Sequence, residues 1–139
     1  MIAAEVAGVC FTVHPVTQDE NQMLIESCWG LGERLVQGLV TPDSYIVEKN
    51  TGTILDTNVN FQEHMMTRDV AGTQTIDVPL AKQKKQKLTE HEIQELADLC
   101  FKIEKHYGKP RDIEWVLEKE RFSIVQARPI TTLVEKTEE

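Results

Sequence analysis

Apolar and polar positions alternate along much of this chain, and the alternation predicts short strands. Residues Glu5 to Val13, EVAGVCFTV, form an apolar, β-rich run that ends at His14-Pro15, where proline stops a strand. Thr17 to Asn21 is polar and turn-like, and Met23 to Cys28, MLIESC, is a second apolar run. The two read as an antiparallel hairpin with a long connection. Trp29-Gly30-Leu31-Gly32-Glu33 then breaks the pattern. A short helical pattern over Glu33 to Gln37 ends near Gly38, and Thr41-Pro42-Asp43 is a turn. Tyr45 to Lys49 and Thr53 to Val59 flank Asn50-Thr51-Gly52 and read as a second hairpin.

Phe61 to Gln74 is mixed and polar, which predicts loop with some strand. Val78-Pro79-Leu80 opens an irregular stretch holding Lys82, Lys84, Lys85 and Lys87, expected to be a solvated run. The period then changes. Ile93, Leu96, Ala97, Cys100 and Ile103 recur at helical spacing, so a helix is expected over Thr89 to His106. Thr89 with Glu92 three residues later forms a capping box, and Tyr107-Gly108-Lys109-Pro110 is a stop. Asp112 to Leu117 and Arg121 to Ala127 form a final hairpin, followed by Gln126-Ala127-Arg128-Pro129-Ile130 at its end. Residues 1–134 are expected to form one α+β unit, a mainly antiparallel sheet with one long packed helix. Residues 135–139 are a charged tail.

Composition narrows the function classes. The chain has 139 residues, about one domain by length. No apolar run reaches the ~18 residues of a membrane span. Fifteen Lys and Arg stand against 23 Asp and Glu, a net charge of −8. An acidic chain does not condense on nucleic acid or anionic lipid, so no nucleic-acid or membrane partner is expected. An anionic ligand must be met by a few local cations. Cys10, Cys28 and Cys100 lie in apolar stretches without a paired spacing. They read as buried thiols in a reducing, cytoplasmic setting rather than as a disulfide or zinc framework. His14, His64, His91 and His106 show no metal-ligand spacing.

The candidate chemistry lies in the last hairpin. Asp112 and Glu114 are two apart on a strand and share a face, as do Gln126 and Arg128. With Glu114 opposite Gln126 and Asp112 opposite Arg128, one face carries two carboxylates, an amide and a guanidinium. That register needs an odd number of residues in the turn, centred near Glu120. Magnesium takes hard oxygen ligands, commonly one or two carboxylates plus substrate phosphates, and arginine clamps phosphoryl groups. From spacing alone, the same four residues fit a solvated strand face with an ordinary Asp112–Arg128 ion pair better than a ligand site. Trp29-Gly-Leu-Gly-Glu33 sits between a strand and a helical pattern, as phosphate loops do. It lacks the following Lys-Ser/Thr of a Walker sequence, and reads as a tight turn.

Four ordered blocks carry a family resemblance: EVAGVCFTVHPVT, MLIESCWGLGERLVQGLVTPDSYIVEK, DIEWVLE and IVQARPIT. Together they resemble the nucleotide-binding domain of phosphoenolpyruvate synthase, pyruvate phosphate dikinase and rifampin phosphotransferase, over roughly Glu5 to Thr131. The resemblance implies the C-terminal half of an ATP-grasp fold. It implies Mg²⁺ on Asp112, Glu114 and Gln126, and ATP phosphates on Glu114, Gln126 and Arg128, with no catalytic side chain assigned. It also implies partner regions with no counterpart here: an N-terminal ATP-grasp subdomain, a phosphohistidine domain and a pyruvate-binding barrel. The chain is therefore expected to be one subdomain of a longer enzyme that passes phosphate from ATP to a histidine and on to pyruvate or another acceptor. A fragment of this kind is expected to be inactive alone. The alternatives are a non-catalytic nucleotide-binding module and a plain interaction domain.

Overall fold

The fold was analysed in a computed structural model that describes residues 6–15, 17–32, 41–69 and 72–129. The Glu33 to Gln37 pattern, Gly38 and the charged tail lie outside these residues. In chain order the elements are β1 Val6–Phe11, β2 Gln22–Trp29, β3 Asp43–Glu48, β4 Ile54–Asn58, β5 His64–Asp69, β6 Gly72–Asp77, α1 Glu90–Tyr107, β7 Arg111–Glu118 and β8 Arg121–Pro129. Six strands form an antiparallel sheet in the order β4-β3-β2-β1-β7-β8. The α+β class expected from the pattern is the class observed.

The helix covers one face of the sheet. Thr89 caps it: its hydroxyl accepts from the Glu92 backbone N–H, and the Glu92 carboxylate accepts from the Thr89 N–H. Gly108, with φ 72°, ends it in the left-handed conformation that only glycine adopts without strain. Ile93, Leu96, Ala97 and Cys100 point inward against Cys10, Ile25, Tyr45, Val47, Ile113 and Trp115. Burying each large aliphatic chain stabilises the fold by about 1.5–3 kcal/mol. Gly8, opposite Trp115, has no room for a side chain. An added Cβ would meet the Trp115 ring and the Glu26 carbonyl. The three cysteines are free and buried, as their apolar settings imply.

Three expectations change. Phe61 to Gln74 is not mainly loop. Strands β5 and β6 pair there as a separate two-stranded ribbon. β6 is exposed along its whole length, so it has no apolar alternation to read. The run from Lys82 to Lys87 is not solvated throughout. Lys87 is buried, and its Nζ donates to Asp43 Oδ1 at 2.8 Å and to the Asn60 carbonyl at 3.0 Å. Asp43, expected in a turn, is the first residue of β3. Its carboxylate also accepts from Tyr45 Oη, the Asn60 N–H and the Lys87 N–H. A buried charge survives only when paired and hydrogen-bonded in this way.

Candidate functional site

The face opposite α1 is open among the described residues. Alternation along β7 sends Ile113, Trp115 and Leu117 to the helix and leaves Asp112 and Glu114 on the other side. Asp112 lies opposite Arg128, and Glu114 opposite Gln126. The expected register is therefore present, but the turn is not the expected one. Lys119 and Glu120 make a two-residue turn with φ 50° and 64°. An even turn alone would set Glu114 against Val125. A β-bulge between Glu114 and Trp115 leaves Val125 without a partner, and the two polar pairs fall into line beyond it. Phe122 and Ile124 lean against the core before the bulge, and Ala127 does so after it.

Arg128 Nε donates to Asp112 Oδ2 at 3.3 Å, with the arginine more than half exposed. The other oxygen, Asp112 Oδ1, is buried and has no hydrogen-bond partner among the described residues. Such an orphaned acceptor costs about 1–3 kcal/mol unless something donates to it or a cation sits on it. Glu114 is half-buried beside it, with Gln126 exposed across the ladder. Two carboxylates and an amide oxygen fit Mg²⁺, which needs few protein ligands when phosphates complete its shell.

The pattern in the chain did not single out Glu26. Val9 of β1 pairs with Glu26 on one side and Glu114 on the other, so all three share the open face. Burial first, and then the negative charge of Asp112, push the Glu26 carboxyl above the ordinary glutamate range. Its place in the apolar run MLIESC was the available signal: a lone acid within an apolar strand.

The glycine turn is structural. Gly30 has φ 78°, and a side chain there would meet the Met66 carbonyl. The Leu31 N–H donates to that carbonyl at 2.8 Å, which ties the turn to β5. The Gln62 amide brackets the Trp29 backbone, accepting from its N–H at 2.9 Å and donating to its carbonyl at 3.1 Å. Gly32 lies against Ala7, and the Cys28 thiol donates to the Leu31 carbonyl, so the turn covers one end of the open face. No three His, Cys, Asp or Glu side chains gather in a metal-binding group among the described residues. Asp112 and Glu114 are two carboxylates, not three. No described helix is long and apolar enough to cross a membrane.

The sheet thus carries a helix on one face and a carboxylate–amide–guanidinium set on the other. Over residues 1–139 the chain matches the family described as pyruvate phosphate dikinase, AMP/ATP-binding domain, and it belongs to that family. It is 48% identical over 134 residues to a probable phosphoenolpyruvate synthase of Methanocaldococcus jannaschii, covering 96% of this chain and 11% of the relative. It is 47% identical over 139 residues to a probable phosphoenolpyruvate synthase of Methanothermobacter thermautotrophicus, covering all of this chain and 20% of the relative. It is 40% identical over 134 residues to rifampicin phosphotransferase of Bacillus subtilis, covering 96% of this chain and 15% of the relative. The chain thus spans a fifth or less of these proteins.

Proposed function

We propose that the open face is the phosphate- and magnesium-holding part of an ATP site in a dikinase-type phosphotransferase. The observation that carries this reading is the orphaned Asp112 Oδ1 beside Glu114, Gln126 and Arg128 on one open face. Asp112, Glu114 and Gln126 would hold Mg²⁺, which supplies charge neutralisation to the polyphosphate. Glu114, Gln126 and Arg128 would position the phosphates. Arg128 keeps its terminal nitrogens clear of Asp112, since only Nε is engaged there. In this chemistry nearly all catalysis is positioning and charge neutralisation, so no side chain of this face need exchange a proton.

The architecture is read as the C-terminal half of an ATP-grasp fold, spanning residues 1–134, with a charged tail at 135–139. The remaining nucleotide contacts would come from an N-terminal subdomain. Phosphate would pass to a histidine on a further domain and then to pyruvate or another acceptor. Three buried thiols suit a cytoplasmic setting. The rival reading, a structural strand face, draws on the Asp112–Arg128 ion pair.

Calorimetric titration with ATP, with and without Mg²⁺, separates the two. Affinity is expected to be weak and to rise with Mg²⁺, and Glu114→Gln is expected to lower it several-fold by removing one charge at constant shape. ATP binding indifferent to both Mg²⁺ and Glu114 would contradict the assignment.

A further inference from the structure

Glu26 lies on the same open face as the proposed phosphate site and has no part in it. It is separated from Glu114 by Val9, so the two acids stand two strand spacings apart, roughly 10 Å. The carboxylate is half-buried, and no hydrogen bond or ion pair joins it to any described residue. Ser44 lies opposite it on β3 without bonding to it. Val9 between the acids is apolar and partly exposed.

A carboxylate here repels phosphate and accepts hydrogen bonds. The part of a nucleotide that reaches Glu26 must therefore carry donors. A nucleoside triphosphate of adenine offers two kinds: the vicinal ribose hydroxyls and the single exocyclic amine of the base. The hydroxyl pair matches the two oxygens of a carboxylate, and the sugar follows the phosphates directly along the nucleotide. We infer that Glu26 is the sugar-reading residue of this face, accepting from the 2′- and 3′-hydroxyls while Val9 floors the ribose ring. The inference rests on the phosphate assignment above and adds the sugar specificity that assignment leaves open. Donation from the hydroxyls would also relieve the burial of an otherwise unpartnered carboxylate.

The test compares Mg²⁺ complexes of ATP, 2′,3′-dideoxy-ATP and inosine triphosphate in equilibrium titrations of the whole chain. ATP is expected to bind about tenfold or more tighter than the dideoxy nucleotide, the usual scale for hydrogen bonds to a charged group. Glu26→Ala should bring ATP down to the dideoxy level and leave the dideoxy affinity unchanged. Glu26→Gln, which preserves shape and one acceptor, should reduce the preference without unfolding the strand. Equal affinity for ATP and the dideoxy nucleotide in the native chain would overturn the inference while leaving the phosphate site standing. A preference for ATP over inosine triphosphate that Glu26→Gln removes would assign Glu26 to the base amine instead. Failure of every nucleotide to bind would remove the phosphate assignment, and this inference with it.

Discussion

The two faces of the six-stranded sheet handle their acids in opposite ways. On the helix-covered face, Asp43 is fully buried, and its two oxygens receive Lys87 Nζ, the Lys87 and Asn60 N–H groups and Tyr45 Oη. Tyr45 Oη also pairs with Ser27 Oγ at 2.9 Å and accepts from the Leu88 N–H. Burial is the main reason the Tyr45 hydroxyl holds its proton far above the ordinary tyrosine range. On the open face, Asp112 leaves a buried oxygen unbonded, and the carboxylates of Glu26 and Glu114 make no hydrogen bond or ion pair with any described residue. Acids sit on both faces, so acidity does not separate structure from function here. Partnership does. A closed network specifies the fold, and the unpartnered acids of the other face are the ones the proposed site would use.

Breaking the closed network should have the largest effect. Lys87→Met leaves the Asp43 carboxylate buried without its cation, and should cost about 3–5 kcal/mol in urea unfolding. A loss under about 1 kcal/mol would mean that the site admits water and that the faces differ less than described. The open face should respond in the opposite sense. Asp112→Asn with Glu114→Gln removes two carboxylates that no core group needs. Only the pair with the half-exposed Arg128 is lost, and an unbonded buried oxygen goes with it, so stability should change by less than about 1 kcal/mol while the response to Mg²⁺ disappears. Unfolding on the scale of Lys87→Met would make these acids structural.

How far the sequence discloses each face follows from the same contrast. The covered face was legible because burial imposes a period. Ile113, Trp115 and Leu117 alternate, and Ile93, Leu96 and Cys100 recur at helical spacing. Where burial follows no period, reading failed. Lys87 sits in a run of lysines, and only the fold reveals that Asp43, 44 residues earlier, lies beside it. The β5–β6 ribbon escaped because β6 buries nothing. The pairing of Asp112 with Arg128 and of Glu114 with Gln126 is as expected, but the expected odd turn was not found. Lys119-Glu120 carries no Asn-Gly signal for a two-residue turn. The bulge at Val125 shows only as a change of step, from Phe122 and Ile124 to Ala127, among core-facing residues. Glu26 was missed because one acid in an apolar strand has no spacing partner in sequence. Its neighbour Glu114 is reached only across β1.

The smallest expected effect is on pH dependence. The Glu26 carboxyl is raised from its ordinary value of 4.5, so the folded chain holds this proton to a higher pH than the unfolded chain does. That contribution to stability is present below 4.5, falls as the pH rises through the interval up to the raised value, and is level above it. Glu26→Gln should remove this decline and make the chain slightly more stable at neutral pH, a small effect because the group is only partly buried. Unchanged pH dependence in the variant would mean that Glu26 is freely solvated.

An NMR titration of the chain with Mg²⁺ and ATP tests most directly whether the open face is the ligand face. Amides of residues 112–114 on β7 and 126–128 on β8 should shift together, more strongly with both ligands than with either alone, and those around Lys87 and Asp43 should stay still. Shifts confined to Gly30–Gly32, or no shifts at any amide, would contradict the account.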